Sequence, residues 1–107
     1  MIHLTANTPI LVAMQPADFR KGIDGFVALC QYSLQQSPRS GTLFVFRNRA
    51  STMIRILAYD GNGFWLMTKR LSTGRFQGWP VSDQAIGYLQ AVQLRQLLTG
   101  VLTTHSV

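Results

Sequence analysis

Residues 53–70, MIRILAYDGNGFWLMTKR, are the stretch that decides the fold. Two seven-residue segments rich in apolar and aromatic side chains flank DGNG at positions 60–63. Glycine and asparagine tolerate the positive φ angles of tight hairpin turns, and apolar strand-like segments on both sides are typical of such a turn. The stretch therefore predicts a β-hairpin.

The turn also predicts the register of this hairpin. If Tyr59 opposes Phe64, then Arg55 opposes Thr68 and lies on the same face of the sheet as Arg70. Both arginines then stand at the end of the hairpin far from the turn. Arg47 at the end of the preceding strand and Arg49 in the loop after it are expected nearby.

Upstream of the hairpin, the sequence predicts a strand, a helix and a second strand. PILVAM at 9–14 is a short apolar run, and TLFVFR at 42–47 is apolar on both faces, as a central strand is. Between them, Asp18 is the predicted N-cap of a helix that runs to about residue 35. The predicted buried stripe of this helix carries Phe19, Ile23, Phe26, Val27, Cys30 and Leu34.

Downstream, AIGYL at 85–89 is a candidate short strand, and QAVQLRQLLTG at 90–100 predicts a C-terminal helix. That helix is expected to bury Leu94, Leu97, Leu98 and Val101, and to stop at Gly100. The order β-α-β-β-β followed by α predicts one α+β domain over residues 1–107. We expect a small, mainly antiparallel sheet with helices on one face, and a loose tail at about 102–107.

The charge balance is strongly basic. Ten Lys and Arg residues face four Asp and no Glu, which gives a formal charge of +6 and an isoelectric point near 10.5. Such a domain meets the electrostatic criterion for nucleic-acid binding. It equally fits a protein that docks on an acidic partner or that is kept soluble by charge.

The remaining composition predicts a cytoplasmic protein. Cys30 is the single cysteine, so no intrachain disulfide can form, which fits a reducing compartment. The apolar run at 10–14 is too short to span a bilayer and has no basic segment before it. We therefore expect neither a membrane segment nor a signal peptide.

The sequence offers little for catalysis. Two-metal strand transfer needs clustered carboxylates, whereas the four Asp suit a helix cap, a helix surface, a turn and an unassigned segment. His3 and His105 stand at opposite ends without Cys or Glu beside them, and Cys30 falls on an apolar stripe. We expect no enzymatic activity, no metal site and no cofactor.

Candidate binding residues cluster around the hairpin. Six cations bracket aromatic residues there, and aromatic rings between cations are how sheet surfaces hold unpaired bases. A solvated sheet edge with Trp65 in the core is an equally good interpretation of the same composition. The candidate nucleic-acid-binding residues are Arg47, Arg49, Arg55, Lys69, Arg70, Arg75, Phe76 and Trp79.

A second candidate surface surrounds two glycines of the predicted first helix. Glycine costs a helix about 1 kcal/mol relative to alanine, so something should approach this face closely. Packing against the sheet or a second subunit is the simpler explanation, and a nucleic-acid backbone is the other. The candidate interaction face comprises Arg20, Lys21, Gly22 and Gly25.

Three blocks of the chain resemble one bacterial family. They are DFRKGIDGF at 18–26, GTLFVFRNR at 41–49 and RILAYDGNGFWLMTKRLSTGRFQGWP at 55–80, and LQAVQLRQLLTGV at 89–101 resembles the family's closing helix. The blocks are similar to the TnpB-type accessory protein, the second open reading frame of insertion sequences of the IS66 family. Two positions depart from the pattern: Ser72 stands where Glu is usual, and Gly78 is an extra residue between RF and WP.

The resemblance implies a non-catalytic protein needed for transposition, encoded beside a transposase that carries the acidic catalytic residues. The leading hypothesis is that the protein binds DNA, or the transposase–DNA complex, through a basic sheet edge. The alternative is an adaptor for the transposase with no direct nucleic-acid contact. The expected partners are DNA and the transposase of the same element, and self-association stays open.

Overall fold

The computed structural model describes residues 5–99. In chain order the elements are strand β1 (Ile10–Ala13), helix α1 (Ile23–Ala28) with a π-helical continuation (Leu29–Ser33), strands β2 (Leu43–Arg47), β3 (Met53–Tyr59), β4 (Phe64–Arg70) and β5 (Ile86–Leu89), and helix α2 (Ala91–Thr99). The two histidines, the predicted helix stop at Gly100, the predicted buried Val101 and the predicted tail lie outside the described residues. Over the described range, no helix is long and apolar enough to cross a bilayer.

The five strands form a sheet in the order β4-β3-β2-β1-β5. The β1–β2 pair is parallel, and the other three pairs are antiparallel. Because a parallel pair cannot be joined by a tight turn, α1 supplies the crossover between β1 and β2. The mainly antiparallel α+β prediction is confirmed, and the candidate strand near the C-terminus exists as β5.

The hairpin has the predicted bounds and register. Tyr59 opposes Phe64 and Arg55 opposes Thr68. The turn between the strands is closed where the Asp60 amide donates to the carbonyl of Gly63 at 3.1 Å. Arg55 and Arg70 therefore share a face of the sheet, as the sequence predicts.

Each face of the sheet carries one helix, so the prediction that the helices share one face is wrong. Leu11 packs with Phe26 of α1 on one side, which we name the α1 face. The next residue of the strand, Val12, packs with Leu94 of α2 on the other side, the α2 face. Strands that are apolar on both faces need cover on both, and the stripe of a helix does not reveal which face it covers.

Helix α1 begins later than predicted. Its N-cap is Gly22, whereas the Asp18 carboxylate accepts the Arg20 amide and pairs with the Arg20 guanidinium at 2.8 Å. The predicted cap at Asp18 is therefore wrong, because that carboxylate stabilises a turn that precedes the helix. Ile23, which the periodicity assigned to the buried stripe, is exposed, whereas Phe26 is fully buried.

Residues 71–80, which we call the strap, leave β4 and pack on the α2 face. The Leu71 amide donates to the carbonyl of Thr52 at 3.0 Å, and the Phe76 amide donates to the carbonyl of Ser51 at 2.7 Å. These two bonds tie the strap to the loop between β2 and β3. The strap is thereby held at the end of the sheet farthest from the hairpin turn.

Candidate nucleic-acid interface

Exposed cations concentrate at the end of the sheet where β2 ends, β3 begins and β4 ends. Arg70 is the last residue of β4 and opposes Met53, the first residue of β3. Arg49 lies in the intervening β2–β3 loop, and Arg75 lies in the strap beside the amide that bonds to this loop. The segment before α1 adds two more cations. We name this region the basic end and define it by Arg20, Lys21, Arg49, Arg70 and Arg75.

Arg55 brings the segment before α1 to the basic end. Its guanidinium nitrogen Nη1 donates to the carbonyls of Phe19 and Lys21, both at 2.8 Å. Arg20 and Arg49 line one open cleft of about 690 Å³. The two surfaces that the sequence treats separately, around the hairpin and around the glycines, therefore meet in one region.

Four of the five side chains of the basic end are available to a ligand. Within residues 5–99, none of the four makes a hydrogen bond or ion pair, and all are exposed. Arg20 differs because it is paired with Asp18, and this hydrogen bond lowers the pKa of the Asp18 carboxyl well below its usual range. We call the remaining four the free cations: Lys21, Arg49, Arg70 and Arg75.

Arg55 was predicted to bind nucleic acid, but its side chain is committed to the fold. Besides the two carbonyls, its Nε donates to the hydroxyl of Thr68 at 2.8 Å. The guanidinium carbon also lies 4.9 Å from the ring centroid of Phe19 and 5.5 Å from that of Phe26. Hydrogen bonds from a charged donor and cation–π contacts at this half-buried site fasten the loop before α1 onto β3.

Arg47 is likewise held by the protein. It lies on the α2 face, opposite Ile54, and its Nη1 donates to the hydroxyl of Ser51 at 3.3 Å. Its guanidinium carbon is 5.8 Å from the ring centroid of Trp79. Its buried Nε has no hydrogen-bond partner among the described residues. The side chain is therefore half-buried and held by the fold, unlike the exposed free cations.

The two aromatic candidates in the strap do not present their rings to a base. Phe76 is 5% exposed and belongs to the core of the α2 face. Trp79 packs against that core, and its indole N–H donates to the carbonyl of Ala13 at 3.0 Å. The predicted stacking role of Phe76 is therefore corrected to a core role, because its backbone amide bond to the β2–β3 loop turns its ring inward.

Lys69 and Trp65 lie on the α2 face of β4, whereas Arg70, next to Lys69, lies on the α1 face. Lys69 donates through Nζ to the carbonyl of Leu98 at 2.6 Å, which ties β4 to the end of α2. Trp65 is 47% exposed and donates its indole N–H to the carboxylate of Asp60 at 2.7 Å. The interpretation that places Trp65 in the core is therefore wrong, since the neighbouring helix does not cover it.

Gly25 has a local explanation. A β-carbon built at Gly25 would lie 2.7 Å from the β-carbon of Lys21, so the stem of Lys21 occupies this space. No such neighbour lies within 4 Å of a β-carbon built at Gly22, which is the N-cap. The close approach predicted from the two glycines is thus made by a lysine of the same chain, one turn earlier.

Asn48 is a site residue that the sequence analysis missed. Its Oδ1 accepts the amides of Thr52 and Met53 at 2.9 and 3.0 Å, and its Nδ2 donates to the Thr52 hydroxyl at 2.9 Å. These bonds shape the loop on which Arg49 stands. The signal in the sequence is an asparagine directly after a strand, where its side chain commonly replaces a backbone partner in a turn.

The described residues hold neither a metal cluster nor an activated nucleophile. No group of three His, Cys, Asp or Glu side chains among them lies close enough to bind a metal ion. Cys30 is buried in the core of the α1 face, and desolvation raises the pKa of its thiol to about 12. A protonated, buried thiol is unreactive at neutral pH.

Comparison with known proteins finds one matching family and two similar proteins. Residues 8–106 match the family described as IS66 Orf2 like protein. The uncharacterized protein y4jC of Sinorhizobium fredii is 42% identical over 86 residues, which cover 80% of this chain and 74% of that protein. The uncharacterized protein y4hO of the same organism is 34% identical over 105 residues, which cover 98% of this chain and 90% of that protein. No solved structure matches the chain.

The family match spans the three blocks whose resemblance the sequence shows and confirms that resemblance. Proteins of this family are encoded in insertion sequences, which suggests an accessory role in transposition. The chain belongs to the IS66 Orf2-like family of insertion-sequence accessory proteins.

Proposed function

We propose that this protein is a non-catalytic accessory factor of transposition that contacts the phosphates of DNA through the basic end. The observation that carries the proposal is the group of free cations, Lys21, Arg49, Arg70 and Arg75, at one end of the sheet. Three of the four are arginines, whose forked guanidinium groups match phosphate oxygens. Their unpaired charges are available for a polyanion, which supplies affinity without sequence recognition.

The proposed contact is electrostatic and does not involve base stacking. Phe76 is buried, and the ring of Trp79 packs against the core with the Arg47 guanidinium over it, so neither ring is free to stack on an unpaired base. Stacking is what gives many sheet surfaces their preference for single strands. We therefore expect binding to duplex DNA that is at least as tight as binding to a single strand of the same length.

The test is fluorescence anisotropy of labelled duplex and single-stranded oligonucleotides, titrated with purified protein at several salt concentrations. Wild-type protein is expected to show a steep fall of affinity with salt. The double variant R49A/R75A removes two free cations that lie in loops. Its log–log slope on duplex is expected to fall by about 1.8, since each lost phosphate contact contributes about 0.9.

The matched control is R39A/R95A, which removes the same charge from sites outside the basic end. Arg39 lies over the rings of Tyr59 and Phe64, and Arg95 is an exposed residue of α2. This variant should keep the wild-type salt slope. An equal decrease of the salt slope in both double variants would indicate that affinity responds to net charge alone. That outcome would contradict a specific role of the basic end.

The adaptor alternative uses the same exposed cations, because an acidic protein surface also satisfies free guanidinium groups. Co-purification with the transposase of the same element, before and after nuclease treatment, separates the two functions. We expect nuclease to weaken the association, because DNA would bridge the two proteins. Undiminished association after nuclease treatment, together with no DNA binding at low salt, would support the adaptor.

A further inference from the structure

Strand β4 is an edge of the sheet whose outer side has no partner among residues 5–99. Hydrogen bonds at Asp60–Gly63 and at Leu71–Thr52 fix the phase of its pairing with β3. From this phase, residues 65, 67 and 69 exchange backbone bonds with β3, because such pairs alternate along an antiparallel ladder. The N–H and C=O groups of 64, 66, 68 and 70 therefore point outward, ready to pair with another strand.

The same strand also exposes apolar side chains. Trp65 is 47% exposed and Met67 is 37% exposed, and both lie on the α2 face of β4 with Lys69. Natural edge strands are usually blunted by charge, proline or a bulge. Here the charges stand at one end of β4, and the apolar residues occupy its middle and its beginning. The exposed apolar residues of this edge therefore favour pairing with another strand, and they do not protect the edge against it.

We propose that β4 pairs antiparallel with β4 of a second copy of this chain, about a two-fold axis that passes by Met67. A two-fold axis perpendicular to the sheet keeps each side chain on its own face, so residues of like parity must oppose each other. The pairing centred on Met67 is the register that pairs all seven residues of both strands. It opposes Met67 to its own copy, Trp65 to Lys69, Leu66 to Thr68, and Phe64 to Arg70.

This register also places the outward backbone groups against each other. Residues 64 and 66 of one copy meet residues 70 and 68 of the other, which are the four positions whose N–H and C=O groups point outward. Met67 and the Trp65–Lys69 pair then fall at positions without backbone bonds, where side chains approach most closely. A thioether contact and a cation near an indole ring are both favourable at such positions.

A second copy fits better than an unrelated strand because the edge is complementary to itself. Each cation of one copy, Lys69 or Arg70, opposes an aromatic ring of the other, Trp65 or Phe64. Centring the pair on Lys69 or Arg70 would set like charges opposite each other, which is destabilising. Two seven-residue strands about 24 Å long make a small interface, so we expect a reversible dimer in the micromolar range.

Disulfide trapping of the full chain tests the register. In the variant M67C, the two introduced cysteines would have α-carbons about 4.5 Å apart, within the range that a disulfide spans. We expect mild oxidation to convert most of M67C to a dimer on a non-reducing gel. In the control K69C, the two introduced cysteines would lie four residues out of register. Wild type, the second control, has Cys30 as its single cysteine, and it is buried. Neither control should form a disulfide-linked dimer on this gel.

Sedimentation equilibrium over a dilution series tests the dimer without oxidation. The variant M67K sets two lysines opposite each other, so its dissociation constant should rise at least tenfold, which corresponds to about 1.4 kcal/mol. The control V92K makes the same kind of change at an exposed position of α2 and should match wild type. If wild type stays monomeric up to about 200 µM, its self-association is weaker than this edge should give, and the proposal is overturned. Equal cross-linking of K69C and M67C would also overturn it. These measurements need no DNA, so their outcome is independent of the proposed phosphate contact.

Discussion

The β3–β4 hairpin and the strap are adjacent in sequence and rich in the same residue types, but they use them in opposite ways. In the hairpin the aromatic Trp65 is exposed, while the cation Arg55 is held by three hydrogen bonds. In the strap the aromatic Phe76 is buried, while the cation Arg75 is exposed. Residue type alone therefore does not reveal which side chains of a basic, aromatic stretch can reach a ligand.

Backbone hydrogen bonds decide the difference. The strap is tied to the β2–β3 loop through the Phe76 amide, and this bond turns the ring of Phe76 toward the core and leaves Arg75 outside. In the hairpin the pleat places Arg55 on the α1 face, where it donates to carbonyls of the loop before α1. A loop carbonyl within reach converts a cation from a ligand-binding group into a structural one.

The largest expected effect comes from the two aromatic residues. Phe76→Ala should lower the free energy of unfolding by about 3–5 kcal/mol, because it removes a buried ring and leaves a cavity. Trp65→Ala should change it by less than about 1 kcal/mol, since its ring is half exposed. Urea denaturation followed by circular dichroism, at low protein concentration, measures both. Equal effects of the two substitutions would abolish the contrast between hairpin and strap.

The two cations give the next largest effect, in the reverse order. Arg55→Ala should lower the free energy of unfolding by about 2–3 kcal/mol, because the carbonyls of Phe19 and Lys21 lose a charged donor. Arg75→Ala should stay within about 0.5 kcal/mol, as an exposed cation without a protein partner. Arg55→Lys should fall between the two, since a single ammonium group cannot reproduce the fork of three bonds. A stable Arg55→Ala variant would show that α1 is held without this arginine.

Glycine positions sharpen the comparison at a smaller scale. Gly74 in the strap has φ +75, so Gly74→Ala should cost about 1–2 kcal/mol from backbone strain. Gly63, the last residue of the hairpin turn, is not at positive φ and has open space around a built β-carbon. Gly63→Ala should therefore leave stability unchanged or raise it by about 0.5 kcal/mol. Thermal melts of the two variants provide the measurement.

The smallest effect is a pH dependence at the hairpin turn. The hydrogen bond from the Trp65 indole lowers the pKa of Asp60, so the ionised carboxylate stabilises the folded state above the pKa of the unfolded chain. This stability is lost as the pH falls through the lowered folded pKa. Wild type should therefore be more stable than Asp60→Asn at pH 7, and this difference in stability should shrink as the pH falls below about 4 and through the lowered folded pKa.

The partner of this interaction provides the control. In a Trp65→Phe background, which lacks the indole N–H, Asp60→Asn should have a smaller effect at pH 7. An effect of Asp60→Asn that is equally large in both backgrounds would show that Trp65 is not responsible. Stability curves in urea at pH 3 and pH 7 for wild type, the two single variants and the double variant complete the cycle.

The hairpin could be predicted to the residue because two independent signals agree there. Its two seven-residue segments are apolar and strand-like, and DGNG fixes the turn between them. The strap carries no periodicity, so the inward turn of Phe76 and Trp79 could not be read from their positions. The hydrogen bonds and ring contacts of Arg55 and Arg47 depend on where the loops around them lie, and the register of the hairpin does not predict those positions.

The predictions of where α1 begins and of which face each helix covers were wrong for other physical reasons. Asp18 is a good N-cap by type, but its carboxylate is used in a turn with Arg20, and Gly22 caps the helix instead. The stripes of both helices were recognised in part, through Phe26 and Leu94. A sheet that is apolar on both faces accepts a helix on either side, so the stripes alone could not assign the faces.

The position of β1 between β2 and β5 constrains how the chain folds during synthesis. The β3–β4 hairpin joins neighbouring residues and can form within microseconds of leaving the ribosome. Strand β1, whose four residues are all buried in the finished sheet, finds its second partner only when β5 emerges, close to the end of the described chain. Until then β1 has an unpaired apolar edge that other nascent chains can pair with. A chain cut short before β5 would therefore expose the most buried strand of the protein as an aggregation-prone edge.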